Sequence, residues 1–406
     1  MTLQEVPSAD EPPRRLRLLG ENLVAFRDTQ GRVGVLEENC PHRGASLFFG
    51  RNEDCGLRCV YHGWKFDVTG QCIDLPTESA SSPMKSRMKA VAYACREAGG
   101  ILWVYMGDQE RVPALPGFEW MNLPPEQVYV SRWQQECNYA QAMEGELDSA
   151  HVGFLHRLVN QVDSDDQALT GKFFQQDTAP KWRVINTECG FVAGSARSVP
   201  DDKSYWRLNQ FLLPFYTMIP PRPEDAFLTR MWVPQDDYHC WVICVTFRVV
   251  EPLRESELQA WRNGENSHRK VIPGSTTPTE RLDNDYLIDR AVQKTISFTG
   301  INGIRSQDAM VTETAGAIAD RTREHLGSSD RAVVAMRRRL MDEATAHLET
   351  GKMPTMVENP HLYNVRASQA VLAAADEVES NSELMAAVKS DSARAASNLG
   401  SQAIAS

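Results

Sequence analysis

Four residues of this chain are spaced to hold a metal cluster. Cys40 and His42 are followed, after sixteen intervening residues, by Cys59 and His62, in the pattern C-x-H-x16-C-x2-H. Each half offers one thiolate and one imidazole. Two thiolates on one iron and two neutral imidazoles on the other carry less negative charge than four thiolates, so the centre accepts an electron at a higher potential. This is the ligand set of a Rieske-type [2Fe–2S] cluster. Gly44 and Gly63 each follow a histidine closely; without a Cβ they allow tight turns and a close approach of backbone N–H groups to the sulfides. Structural zinc is the competing reading, but zinc sites usually take two cysteines from one knuckle, whereas each loop here carries one of each.

A second constellation is Asp148, His151 and His156. Residues three apart share a helix face, so Asp148 and His151 would be neighbours on a continuous helix. His156 lies five beyond His151, about 140° around at ~3.6 residues per turn. Both imidazoles reach one metal only if the helix bends or ends between them, and Gly153 makes such a break inexpensive. Two histidines and one carboxylate with open positions describe the facial triad of a non-haem Fe(II) oxygenase. D-x-x-H-x4-H is a weak motif alone; following a cluster motif, it reads as a mononuclear iron site.

Short strands are expected to carry the cluster loops. Leu16–Leu18, Asn22–Phe26 and Val33–Leu36 read as strands, with a turn at Asp28-Thr29-Gln30-Gly31, and Ile101–Met106 closes an all-β module. Pro113, Pro116, Pro124 and Pro125 then mark a boundary. The expected domains are a flexible lead (1–15), a cluster domain (16–118), a catalytic domain (126–365), and a C-terminal helix with a disordered tail (366–406). Ser329–Leu348 carries helical periodicity, and the run Met336-Arg337-Arg338-Arg339 reads as a solvated helix face.

At 406 residues, 42% hydrophobic and 24% charged, the chain can bury a large core in two or three domains. Its net charge of −11 argues against a nucleic-acid partner. No apolar run reaches the ~18 residues of a membrane span, so the cytoplasm is the expected compartment. Nine cysteines without disulfide-scaffold spacing suit reduced thiols, and Cys55 is not expected to pair with Cys59.

Three stretches together carry a family resemblance: Cys40-Pro41-His42-Arg43-Gly44, Cys59-Val60-Tyr61-His62-Gly63-Trp64, and Glu144-x3-Asp148-x2-His151-x4-His156. They resemble the Rieske non-haem iron ring-hydroxylating oxygenases, oxygenase (alpha) component. The phthalate 4,5-dioxygenase and phenoxybenzoate dioxygenase branch is the nearer likeness, and the downstream runs Asp285–Arg290, Phe298–Ile301, Gln307-Asp308 and Asp320–Gly327 are similar to it. The segment ahead of the first strands is shorter than in that branch, so the start is expected to be truncated or misassigned. Glu144-Gly145-Glu146-Leu147 and Thr314-Ala315-Gly316-Ala317 depart from the branch's usual versions.

The resemblance implies an α+β chain: an all-β Rieske domain followed by a helix-grip-like catalytic domain of antiparallel sheet and helices. It implies one [2Fe–2S] cluster and one Fe(2+) per subunit, with His151, His156 and Asp308 on the iron. The residues alone do not single out Asp308, and Glu313 and Asp320 are formal rivals. Asp148 is implied to bridge His151 to a cluster histidine of a neighbouring subunit, in a homotrimer or homohexamer. The implied partners are O2, a small aromatic substrate and an NADH-dependent reductase carrying flavin and iron–sulfur groups. The reductase holds the nucleotide site, since the chain has no G-x-G-x-x-G, P-loop or G-x-S-x-G.

The expected reaction is dihydroxylation of an aromatic carboxylate. The alternatives are monooxygenation, by O-demethylation or methyl hydroxylation of an aromatic acid, and electron transfer alone, which leaves the second half of the chain without a role. A carboxylate substrate calls for a buried arginine making two parallel hydrogen bonds. Arg207 and Arg230, in strand-like stretches, are the candidates. Met143, Phe211 and Phe215 are read as core or pocket wall.

Overall fold

The computed structural model of the protein describes residues 1–159, 169–222, 225–373 and 378–389. The chain divides into two units, Met1–Pro113 with Pro234–Asp236, and Ala114–Val233 with Asp237–Ser406.

The first unit is built from short antiparallel strands: β1 (Arg14–Leu18), β2 (Glu21–Arg27), β3 (Val33–Glu37), β4 (Arg51–Glu53), β5 (Gly56–Arg58), β6 (Lys65–Phe66), β7 (Cys72–Asp74), β8 (Ala92–Tyr93), β9 (Cys95–Ala98) and β10 (Ile101–Val104). One helical turn, α1 (Met84–Arg87), interrupts them. They form sheets in the orders β1-β2-β3-β8 and β4-β5-β6-β7, and the pair β10-β9. The turn between β2 and β3 forms where expected. Asp28 Oδ1 accepts from the N–H groups of Gln30 (3.0 Å) and Arg32 (2.9 Å), and Arg32 neutralises this buried carboxylate. The core of Val24, Phe26, Leu36, Leu47, Leu57, Trp64 and Phe66 lies directly under the two cysteine-bearing loops. The opening residues differ from a loose lead: Met1 and Val6 are buried, and Leu102 N–H donates to the Met1 carbonyl at 3.0 Å.

In the second unit the strands are β11 (Val128–Gln135), β12 (Lys181–Thr187), β13 (Gly190–Val199), β14 (Lys203–Leu212), β15 (Tyr216–Met218), β16 (Phe227–Pro234), β17 (Cys240–Phe247) and β18 (Ser368–Ala373). They form an eight-stranded sheet in the order β11-β17-β16-β15-β14-β13-β12, with β18 antiparallel to β14. All eight residues of β17 are buried, as expected of a central strand covered on both faces. The helices are α2 (Tyr139–Leu147), α3 (Val152–Leu155), α4 (Leu169–Gln176), α5 (Glu255–Arg262), α6 (Arg290–Thr295), α7 (Ile304–Glu313), α8 (Arg331–Thr350), α9 (Thr355–Glu358) and α10 (Ser382–Ala387), the last in the segment expected to carry a C-terminal helix. The antiparallel cluster half and the sheet-and-helix second half give the α+β class expected.

Two local features depart from the sequence reading. Ser368–Ala373, expected in a helical and disordered C-terminal segment, is a strand, because its extended backbone completes the ladder of β14; the tail from residue 390 onward lies outside the described residues. Arg337 is not a solvated charge but bonds Glu144 (2.8 Å) and Glu324 (2.7 Å), tying α8 to α2. Of the side chains read as core or pocket wall, Phe211 and Met143 are core residues. Among the described residues no helix is long and apolar enough to cross a membrane.

Candidate functional site

The two cluster loops are copies of one turn. In the first, Cys40 N–H donates to the Ala45 carbonyl (2.9 Å) and Gly44 N–H to the Cys40 carbonyl (2.9 Å). In the second, Cys59 N–H donates to Trp64 (2.8 Å) and Gly63 N–H to Cys59 (3.0 Å). Both turns close only because Gly44 (φ +73°) and Gly63 (φ +75°) take the left-handed conformation. The loops face each other: Cys40 and Cys59 are both buried, and the His42 and His62 rings lie 4.4 Å apart. Trp64 stacks on His42 at 4.2 Å and fixes that ring from beneath. Burial, with Cys59 alongside, pushes the Cys40 thiol up to about 11. His62 Nδ1 is buried without a hydrogen-bond partner. Two facing buried thiols and an orphaned imidazole nitrogen fit a cationic cluster that they would ligate.

In the second unit, α2 starts at Asn138, whose side chain accepts from Ala140 N–H at 3.0 Å. Gln141 on α2 donates to the carbonyls of Thr312 (2.6 Å) and Gly316 (2.7 Å), which draws α2 against the end of α7. The break between the histidines is not at Gly153. Helix α2 ends at Leu147, and α3 is a single turn with His151 at its start and His156 just past its end. Gly153 serves close packing instead, because a Cβ there would lie 2.6 Å from the Phe174 carbonyl oxygen.

This arrangement brings His151, His156 and Asp308 together, with one ligand atom from each all within 4.8 Å of one another. The near atoms are specific. Asp308 Oδ1 is 3.2 Å from His156 Nε2 and 3.6 Å from His151 Nε2. Each imidazole is held through its other nitrogen. His151 Nδ1 donates to Asp148 Oδ2 at 3.3 Å, and His156 Nδ1 to Gln307 Oε1 at 2.7 Å. Gln307 is itself oriented by its own bond to the Ile301 carbonyl (2.9 Å). Both Nε2 atoms are thus left as lone-pair donors, and His156 Nε2 is buried without a hydrogen-bond partner. Although burial opposes ionisation, the Arg305 guanidinium holds the Asp308 carboxyl far below its ordinary range. Two neutral imidazoles and one ionised carboxylate fit a divalent ion of the non-haem iron class. The formal rivals lie elsewhere: Glu313 is occupied by Tyr286 and Arg269, and Asp320 caps the turn at Thr322.

A cavity of about 660 Å³ opens beside these residues, lined by His151, His156, Arg207, Asn209, Trp261 and Arg305 among others. Arg207 lies on its wall, with Nε buried and unbonded and no ion pair among the described residues. Arg230 is not on that wall. It is fully buried and committed to Glu146 and the Ser267 carbonyl. Sequence reasoning also missed Arg197, which is fully buried. It bonds the Ser149 hydroxyl (3.1 Å) and carbonyl (2.6 Å) and the Asp177 carbonyl (3.1 Å), fixing the segment that carries Asp148 and His151. An arginine inside an otherwise apolar strand was the available signal, and it does not name its partner.

Comparison with known proteins agrees with the two halves. Residues 1–92 match the family described as Rieske [2Fe-2S] domain, and residues 104–396 the family described as LigXa C-terminal domain like. The 3-chlorobenzoate-3,4-dioxygenase oxygenase subunit of Comamonas testosteroni is 38% identical over 367 residues, covering 86% of this chain and 84% of that protein. The phthalate 4,5-dioxygenase oxygenase subunit of Pseudomonas putida is 38% identical over 352 residues, covering 85% and 80%. Among solved structures, dicamba monooxygenase bound to dicamba superposes with a TM-score of 0.57 at 18% identity, over 86% of this chain and 96% of that one, a likeness of fold alone. A cluster-binding half joined to a catalytic half, both aligned along most of their length with aromatic-ring oxygenase subunits, leaves one assignment: the chain belongs to the Rieske non-haem iron ring-hydroxylating oxygenases, as their oxygenase subunit.

Proposed function

We propose that this subunit dihydroxylates an aromatic carboxylate, holding the ring beside His151 and His156 with the carboxylate on Arg207. Arg207 carries this reading. It is a guanidinium on the cavity wall with no ion pair among the described residues: its Nε is buried and unbonded, the Phe174 ring lies 5.3 Å from it, and burial pushes its pKa down despite the more distant Glu146. A substrate carboxylate supplies a counter-charge and accepts two parallel hydrogen bonds from one arginine. Arg305, on the same wall, is already engaged by Glu146 and Asp308.

Cys40, His42, Cys59 and His62 would hold the [2Fe–2S] cluster, and His151, His156 and Asp308 the ferrous ion. When bound, the cluster relays single electrons and the ferrous ion supplies the O2 chemistry. The chain orients what the metals act on. Asp148 and Gln307 fix the ligand tautomers, and Leu158, Phe174, Ile219, Leu228 and Trp261 give an otherwise polar cavity apolar surface for the ring. Asp148, about a quarter exposed, also has an open side from which to reach a cluster histidine of a neighbouring copy. Val60 and Tyr61 are exposed at the tip of the second cluster loop, and a second cavity of about 880 Å³ beside His151 is lined by Phe154, Phe298 and Val311. Apolar tip and apolar cavity suit a head-to-tail ring, a trimer or a dimer of trimers, with electrons supplied by an NADH-dependent reductase. The seven cysteines outside the cluster set are free thiols, which suits a reducing cytoplasm.

The test is a single turnover of reduced, iron-loaded protein with isotopically heavy O2 and a panel of benzoates, phthalates and methoxybenzoates. Two labelled atoms in a ring diol are expected; one labelled atom or a demethylated product would make the enzyme a monooxygenase. Arg207→Met is expected to raise KM for the acids roughly 30- to 150-fold, about 2–3 kcal/mol of a charge-paired contact. Unchanged KM would sink the carboxylate reading.

A further inference from the structure

We propose that Arg305, anchored by Glu146, is a positioning residue that reserves one oxygen of Asp308, Oδ1, for the metal by holding the other, Oδ2, to itself. The inference rests on the reading of His151, His156 and Asp308 as the ferrous site.

The two oxygens of Asp308 have different neighbours. Oδ1 faces His156 Nε2 and His151 Nε2, at 3.2 and 3.6 Å. Oδ2 faces Arg305 Nη1 at 2.9 Å, an ion pair held by charge and not aligned as a hydrogen bond, since among the described residues Oδ2 has no hydrogen-bond partner. The same Nη1 contacts Glu146 Oε1, and Arg230 contacts that oxygen too. Neither end of this relay is free to follow a movement of Asp308. The Glu146 side chain is 2% exposed, its carbonyl accepts from Asn209 at 2.7 Å, and Arg230 is pinned to the Ser267 carbonyl at 3.2 Å. Arg305 and Asp308 lie three apart on the first turns of α7. That helix begins at Gly303, where φ is +81° and a Cβ would lie 2.9 Å from the Gly264 carbonyl oxygen.

Two carboxylates and two guanidiniums, Glu146, Asp308, Arg230 and Arg305, sum to zero charge in a buried space. The network is therefore charge-balanced before an ion binds, which keeps Asp308 ionised in place. A carboxylate chelates an ion only when both oxygens can turn to it. With Oδ2 ion-paired, His151, His156 and Asp308 would offer the ion three donor atoms instead of four, leaving more of it open to small molecules.

The test uses the full chain with its cluster intact and Co(II) in place of the mononuclear ion, because cobalt-edge X-ray absorption ignores the cluster iron. The variants are Arg305→Gln, the charge-compensated Arg305→Gln/Glu146→Gln, and Asp308→Ala. Circular dichroism and urea unfolding report folding of the catalytic half, and chelator competition reports cobalt affinity. Both Arg305 variants are expected to gain one light-atom neighbour at cobalt and to lose pre-edge intensity; if the single variant does not fold, the double variant decides. Asp308→Ala is expected to weaken cobalt binding more than about 100-fold, beyond the usual effect of residues that only support a ligand. An unchanged edge in the folded Arg305 variants, with Asp308→Ala still weakening binding, would overturn the clamp and leave the ligand reading standing. Cobalt affinity unchanged in Asp308→Ala would overturn the ligand reading, and the clamp with it.

Discussion

The two cysteine-bearing loops and the group of His151, His156 and Asp308 solve the same problem, holding soft and hard donor atoms still, by opposite means. Each cluster loop closes on itself within five residues through two backbone hydrogen bonds and a left-handed glycine. The His151, His156 and Asp308 group closes across more than 150 positions of sequence, and every donor is held by a side chain: Asp148, Gln307 or Arg305. A locally closed site tolerates change elsewhere in its domain. A site closed by buried side chains is exposed to any loss within that network.

Arg197→Leu should break the second kind of site and spare the first. It removes three bonds from buried groups and leaves the Ser149 and Asp177 carbonyls unsatisfied, for a loss of about 3 kcal/mol. Urea unfolding checks the loss, and mononuclear iron content should fall while the cluster absorption stays. An equal loss of both metals would show that the two sites are not independently held.

A pair of alanine substitutions sharpens the account of the loops. At Gly44 a Cβ meets nothing within 4 Å, so Gly44→Ala should cost only the left-handed strain, about 1 kcal/mol. At Gly63, with nearly the same φ, a Cβ would lie 2.7 Å from Pro76 Cγ, and Gly63→Ala should cost about 2–3 kcal/mol. Equal midpoint shifts for the two would mean that backbone conformation alone governs the loops.

The smallest effect concerns an ion pair outside both networks. Burial alone would raise the Glu257 carboxyl, but the two bonds from Arg248 (3.1 Å and one shorter partner at 2.6 Å) hold it below its ordinary range. Its contribution is therefore complete above the usual carboxylate range and disappears as pH falls through the depressed value. Arg248→Gln should flatten that acid limb of the stability profile by less than about 1 kcal/mol, measured by urea midpoints at neutral and acid pH.

How much could be read in advance follows the same division. The hairpin turn at Asp28–Gly31, the short strands around the cluster loops, the glycines at 44 and 63 and the long helix after residue 330 are local patterns, and they formed near where they were expected. The two histidines of the second site were visible by type and spacing. The helix break between them was misplaced, because Gly153 answers to Phe174 and not to the histidines. Asp308 stood out only through family likeness, and Arg230, a reasonable anchor from its strand, was taken by Glu146.

The sequence by itself determined the chemistry available to this protein: which donors exist, that two pairs of them lie in matching turns, and that the chain divides its work between a cluster half and a larger one. Backbone hydrogen bonds and side-chain periodicity act over a few residues, so their signature survives in the linear order. Only the tertiary structure decided which of many carboxylates meets the histidines, which arginine is left facing the cavity, and which oxygen of Asp308 is free. Buried charges are stable only when their sum and geometry close, and that closure joins α2, α7, β14 and β16, elements that no local pattern pairs.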